Sequence, residues 1–168
     1  LLAALQGYGW LSEETDDDPA RLGADRLFIV DPIDGTRAFL EGSEDWAISL
    51  ATARAGRITA GVVYLPARKL IFAAHRGGGA TLNGKPIRVA ADRPLEAAEI
   101  LATRPNFAPE HWKAGSPPPA RHSFRSSLAY RLCLVAEGRY DAMLTLRPAW
   151  EWDIAAGSLI VTEAQGPA

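Results

Sequence analysis

The chain has 168 residues, 48% of them hydrophobic and 23% charged, which suits one soluble, well-packed domain. Its net charge of −2 offers no basic field to a nucleic acid polymer or an anionic membrane, and no apolar run approaches the roughly 20 residues of a membrane span. The single cysteine, Cys133, excludes an internal disulfide and fits a reducing, cytoplasmic compartment.

In chain order, Leu1-Leu2-Ala3-Ala4-Leu5 reads as the last turns of a helix, followed by a turn at Gly7 and Gly9. Trp10-Leu11-Ser12-Glu13-Glu14-Thr15 leads into an acidic surface loop over residues 16–23. Leu27-Phe28-Ile29-Val30 has the form of a short buried strand. The hexapeptide Asp31-Pro32-Ile33-Asp34-Gly35-Thr36 then leaves it on a turn restricted by Pro32 and permitted by Gly35, with Thr36 opening a helix over residues 37–41. Strand patterns follow at residues 46–53, 57–64 and 69–74. Asn83-Gly84 between residues 81–82 and 87–89 marks a hairpin, and such short connections predict antiparallel pairing. Gly77-Gly78-Gly79 lacks the spacing of a nucleotide fingerprint and reads as a loop. Residues 99–103 and 140–146 are further strands, and Ser116-Pro117-Pro118-Pro119 is a stiff loop. Leu128, Leu132, Val135 and Ala136 recur at helical spacing up to Gly138, and a second helix runs over residues 153–164 towards Gly166. The sum is an α+β chain, a largely antiparallel sheet with helices packed on it.

Asp31 and Asp34, with the Ile33 carbonyl between them, supply the oxygen ligands that a hard divalent cation takes. Two more acids lie beside element ends: Glu13 and Asp153. Each also has a plainer reading. Asp31 and Asp34 fit an Asx turn, Asp153 fits a helix cap favoured by the macrodipole, and Glu13 fits a solvated loop. An EF-hand is excluded, because Asp-x-x-Asp-Gly lacks the alternating oxygens and the distal Glu of that loop. His75, His111 and His122 have no metal-ligand spacing and read as surface residues, and Cys133 sits on an apolar helix face as core.

Glu13-Glu14, Asp31-Pro32-Ile33-Asp34-Gly35-Thr36 and Trp152-Asp153-Ile154-Ala155-Ala156-Gly157 together resemble, in order, the three signatures of the inositol monophosphatase superfamily. The likeness continues through Gly61-Val62-Val63-Tyr64 and Leu134-Val135-Ala136-Glu137-Gly138, so it covers nearly the whole chain. It implies a layered α/β sandwich of the sugar phosphatase type, as one domain over residues 1–168 that lacks N- and C-terminal parts of the family. It also implies a Mg²⁺-dependent phosphomonoesterase with two or three ions. One Mg²⁺ would be held by Glu13, Asp31 and the Ile33 carbonyl. A second would be held by Asp31, Asp34 and Asp153, and a third, weaker ion would touch Glu13 mostly through water. Gly35 and Thr36 N–H groups would bind the phosphate, while the Thr36 hydroxyl and Glu13 would position the attacking water.

The substrate that the resemblance implies is a small phosphorylated metabolite. Arg147-Pro148-Ala149-Trp150-Glu151-Trp152-Asp153 and Ser126-Ser127-Leu128 resemble the bisphosphate nucleotidase branch, which implies adenosine 3′,5′-bisphosphate. Arg37-Ala38-Phe39 matches neither that branch nor the inositol monophosphatases, and Ser126 replaces a Gly common before Ser127, so an inositol or sugar phosphate stands equally. Histidinol phosphate is a third choice, and a catalytically inactive ion-binding or interaction module is the alternative of another class. Arg37 is either a substrate contact or a solvated helix residue; Glu151 is either support for the ions or part of the rim; Trp150 and Trp152 flank the site. Lithium sensitivity is expected of the family, and a homodimer is the assembly common among relatives. The reading requires Glu13, Asp34 and Asp153 to converge on one side of the molecule.

Overall fold

The computed structural model describes residues 7–166, so the helix end expected at residues 1–5 lies outside the described residues. Among the described residues the chain forms ten strands and three α-helices. β1 is Gly9–Ser12, β2 Arg26–Asp34, α1 Thr36–Leu40, β3 Ala47–Arg54, β4 Arg57–Leu65, β5 Leu70–His75, β6 Ala80–Leu82 and β7 Lys85–Ile87. There follow β8 Glu99–Leu101, β9 Arg121–Ser123, α2 Leu128–Ala136, β10 Ala142–Met143 and α3 Glu151–Glu163.

The first seven strands form one sheet in sequence order, antiparallel throughout except for β1, which runs parallel to β2. The turn expected at Gly7 and Gly9 is present at Gly7, with φ of 85°, but Gly9 already opens β1. Asn83 and Gly84 turn β6 into β7 with φ of 48° and 77°, the left-handed pair that a two-residue hairpin requires. A second sheet, ordered β10-β8-β9, is all parallel. Its strands are separated in sequence by loops and by α2, so local turn signals carry no trace of their pairing, and β9 went unread. The strand expected over residues 140–146 pairs only at Ala142 and Met143.

One face of the large sheet is buried under α2 and α3, which pack on each other, while β10 touches α2. Period-two alternation supplies that face: Ala47, Ser49, Ala51 and Ala53 on β3, Val63 and Leu65 on β4, Phe72 and Ala74 on β5. Cys133 is buried in the same core. Small residues set the spacing. A Cβ on Gly61 would lie 2.9 Å from the Ala156 Cα, and one on Gly157 would lie 2.7 Å from the Leu132 Cβ. α3 thus lies close against both β4 and α2 because Gly61, Ala156 and Gly157 present almost nothing between the backbones.

The glycine loop at residues 77–79 is explained by the chain itself. The Gly77 and Gly79 N–H groups donate to the Glu163 carboxylate at 2.9 and 3.0 Å, fastening the C-terminal end of α3 to the sheet edge.

Candidate active site

β2 does not stop at Val30 as expected but runs on through Asp34. Side chains three apart on a regular strand point to opposite faces. Here Asp31 pairs with Ser49 and Asp34 with Ala47, so β2 carries one extra residue between them. That bulge accommodates Pro32, which has no N–H to give the ladder, and returns Asp34 to the same face as Asp31. Both carboxylates are buried, at 1% and 6% exposure.

Each acid is held by a specific donor set. Asp31 accepts from the Ile33 N–H at 2.9 Å, which is the Asx turn that the plainer reading described. Asp34 accepts from the Ser127 hydroxyl at 2.6 Å and from the N–H groups of Ala129 at 2.7 Å and Leu128 at 3.3 Å. The N-terminus of α2 therefore grips the Asp34 carboxylate, with Ser127 also capping that helix through the Tyr130 N–H at 2.9 Å. Asp153 lies in the first turn of α3 and accepts from the Trp150 N–H at 2.9 Å, so its capping role is realised too. The Ser49 hydroxyl donates to the Trp152 carbonyl at 3.1 Å and ties the start of α3 to β3 directly beside Asp31.

These elements bring one oxygen each of Asp31, Asp34 and Asp153 within 4.8 Å of one another. Glu13 follows the last residue of β1, whose Ser12 pairs with Val30, and its charge reaches Asp31. It stands outside the close group of three, on the same edge of the sheet. Gly35 has φ of 90°, and a Cβ there would lie 3.1 Å from the Asp45 carbonyl, so the turn into α1 suits glycine alone. Thr36 opens α1, and its hydroxyl donates to the Ile33 carbonyl at 3.0 Å. The structure thus brings Asp31, Asp34 and Asp153 together, with Ile33, Gly35 and Thr36 on the turn that joins β2 to α1 and Glu13 just past the end of β1.

Burial, with repulsion from Asp34, Glu13 and Asp153, pushes the Asp31 carboxyl up to about 8 despite its Ile33 hydrogen bond. Burial raises Asp34 to about 6, against the lowering effect of Ser127, Ala129 and Leu128. Burial also raises Asp153. Among the described residues none of the three is in an ion pair with a basic side chain. Converging carboxylates without a basic partner form a donor set that fits a hard divalent cation.

Beside Gly35 the site opens into a cleft of ≈ 880 Å³ between α1, the start of α2 and the segment over residues 103–111, with Arg37, Arg131 and Arg147 in its walls. The sequence reading missed Ser49, Arg131 and Arg147 and gave Ser127 no part in holding Asp34. Two of the four carried a signal. Ser49 interrupts an alanine row on a buried strand face, and Arg131 interrupts the apolar face of α2.

The chain matches the model of the inositol monophosphatase family over residues 1–167, and with the fold just described it belongs to that family. It is 39% identical over 175 residues to an inositol-1-monophosphatase of Rhizobium meliloti (strain 1021), covering 99% of this chain and 64% of the relative. A fructose-1,6-bisphosphatase/inositol-1-monophosphatase of Thermotoga maritima is 38% identical over 143 residues, 84% of this chain and 56% of that protein. Inositol monophosphatase-II from Staphylococcus aureus MSSA476 superposes with a TM-score of 0.84 at 27% identity, over 98% of this chain and 65% of that one. SaIMPase-II has also been solved with inositol monophosphate and with 2′AMP bound, both with a TM-score of 0.83 at 27% identity, over 97% of this chain and 64% of theirs. The chain thus spans 56–64% of the length of these curated relatives.

Proposed function

We propose that this chain carries the active site of a Mg²⁺-dependent phosphomonoesterase acting on a small phosphate ester. The observation that carries the reading is the convergence of three carboxylates, Asp31, Asp34 and Asp153, within 4.8 Å beside the start of α1. These three, with the Ile33 carbonyl and Glu13, would hold Mg²⁺, which when bound lowers the pKa of water and neutralises charge on a phosphoryl group. The protein's own part is positioning. The Ser127 hydroxyl and the α2 N–H groups orient Asp34, and the Ser49–Trp152 bond holds α3 so that Asp153 faces it. N–H groups at the first turn of a helix have no intrahelical partner, and those of Gly35 and Thr36 receive the phosphoryl oxygens. The Thr36 hydroxyl and Glu13 orient the attacking water. No side-chain nucleophile is needed, since phosphoryl transfer leaves mainly positioning and electrostatics to the protein.

The names of the relatives favour a phosphorylated polyol or sugar, or a nucleotide monophosphate, as the ester. The test is phosphate release from inositol 1-phosphate, adenosine 2′-phosphate and fructose 1,6-bisphosphate, with Mg²⁺ and with chelator. Expected is Mg²⁺-dependent release that falls roughly a hundredfold or more in Asp153→Asn, with the fold retained by circular dichroism. Mg²⁺ binding without release from any ester overturns the reading in favour of an ion-binding module.

A further inference from the structure

The acids explain where a cation goes, but not what steadies the turn beside them. A Cβ on Gly35 would meet the Asp45 carbonyl at 3.1 Å and the Ser127 Cα and Cβ at 3.5 Å. The turn that carries Gly35 and Thr36 is therefore wedged between the chain entering β3 and the N-cap of α2. These two walls are far apart in sequence, so side chains must fix the gap between them. The Asp45 carboxylate does so. Its Oδ1 accepts from Arg68 Nη2 at 2.7 Å, and its Oδ2 lies 3.7 Å from Arg125 Nε. Arg68 belongs to the turn between β4 and β5, and its guanidinium lies over the Tyr130 ring of α2, 5.7 Å from the centroid. Arg125 lies in the segment leading into α2, and its Nη2 donates to the Tyr140 hydroxyl at 3.1 Å.

Isolated ion pairs on a surface contribute little, because water screens them and two long side chains must be immobilised. This one differs. The Asp45 side chain is only 20% exposed, and it meets two guanidinium groups, each of which already lies over a tyrosine ring, Tyr130 or Tyr140. The contacts also run on into the site. The Arg125 carbonyl accepts from the Nε of Arg131, which is buried on α2 with its charge within reach of Asp34. Trp46 alone separates Asp45 from Ala47, the ladder partner of Asp34. One short stretch of chain thus backs Gly35 with its carbonyl, pairs with Asp34 through the sheet, and is fastened to α2 through the Asp45 carboxylate.

We propose that Asp45 is a positioning residue for the phosphate-receiving turn: with Arg68 and Arg125 it clamps the chain after α1 to α2, and so holds the Gly35 and Thr36 N–H groups in place beside the acidic cluster. The proposal rests on the phosphomonoesterase reading above and adds to it residues that touch neither cation nor ester. A slack clamp widens the gap in which Gly35 sits, and N–H groups that are not held in one geometry bind a phosphoryl group less well.

The test reads inorganic phosphate binding by calorimetry on the full chain with saturating Mg²⁺, and Mg²⁺ binding alone as the control. In Asp45→Asn and in Arg68→Gln phosphate should bind roughly tenfold more weakly, while Mg²⁺ affinity stays within about twofold. Arg68→Lys, which keeps the charge, should restore part of the loss, and Glu44→Gln, at the exposed carboxylate 3.6 Å from Arg68, should leave phosphate binding unaltered. The signs separate positioning from simple attraction. Removing a negative charge near an anion tightens its binding and removing a positive one loosens it, whereas a slack turn loosens it in both variants. Unchanged or tighter phosphate binding in Asp45→Asn overturns the proposal, as does an equal loss of Mg²⁺ affinity, which marks general damage to the fold. If no ester is hydrolysed, the phosphomonoesterase reading fails on its own account, and amide hydrogen exchange reads the clamp without substrate. Gly35 and Thr36 should then exchange several-fold faster in both variants than in the unaltered chain, and equal rates overturn the clamp.

Discussion

Raising the pH in the absence of a divalent cation should destabilise this protein. The folded-state pKa of Asp31 is pushed to about 8 from an ordinary 3.8, chiefly by burial. Between those values the folded chain keeps a proton that the unfolded chain has already lost, so stability is present at low pH and falls as pH rises through the window. The slope is about 1.4 kcal/mol per pH unit for one proton, which gives roughly 2.7 kcal/mol between about pH 5 and pH 7. Asp34, raised to about 6, adds to the loss over the lower part of that range, and Asp153 and Glu137 act in the same direction. Asp17 and Glu163 are lowered, so their contribution has the opposite sign, but it is complete once both states have ionised, below this window. Bound Mg²⁺ pairs with the ionised carboxylates and should abolish the fall. The assay is urea unfolding across this pH range, once with chelator and once with saturating MgCl₂. A chelated series that is flat or rises with pH would refute the reasoning, as would an equal slope in both series. Asp31→Asn should flatten the chelated series.

Three substitutions separate what holds the site from what holds the fold. Ser49→Ala removes the 3.1 Å bond to the Trp152 carbonyl; it should cost about 1 kcal/mol in unfolding and also weaken Mg²⁺ binding by calorimetry. Gly61→Ala forces a Cβ to within 2.9 Å of the Ala156 backbone, which cannot yield as a side chain would; a loss of about 1–3 kcal/mol in denaturant melts is expected, with weaker Mg²⁺ binding because α3 carries Asp153. Glu163→Gln removes the charge that receives the Gly77 and Gly79 N–H groups at the other end of α3; it should cost about 1 kcal/mol with Mg²⁺ affinity unchanged.

What the sequence made legible was local. Alternation placed β3, β4 and β5, Asn83-Gly84 placed the β6–β7 hairpin, and helical spacing placed α2. The parallel pairing of β1 with β2 and of β10-β8-β9, and the strand β9 itself, lay beyond it because such strands meet through long connections without turn signals. At the site, a resemblance in three separated motifs located the acids, but spacing alone would have set Asp31 and Asp34 on opposite faces. Only the bulge, where Asp34 pairs with Ala47 after Asp31 pairs with Ser49, reconciles a three-residue separation with a common pocket. Ser127 and Arg131 were harder still, since their roles depend on α2 pointing its first turn at Asp34 across a gap of more than ninety residues.

Gathering the buried Asp31 and Asp34 with the half-buried Asp153 opposes folding, so the surrounding structure must hold them there. The arrangement divides that task between the two helices that lie on the sheet. α3 presents Asp153 and is pressed into place by Gly61, Gly157 and Ser49. α2 approaches Asp34 with its N-terminal donors, and one turn later carries Arg131 into the wall of the basic cleft. A single short helix thereby fixes both the Asp34 carboxylate and the Arg131 guanidinium. Where Arg131 stands relative to Asp34 is thus set by the rigid first turns of α2, and not by a loop free to adapt.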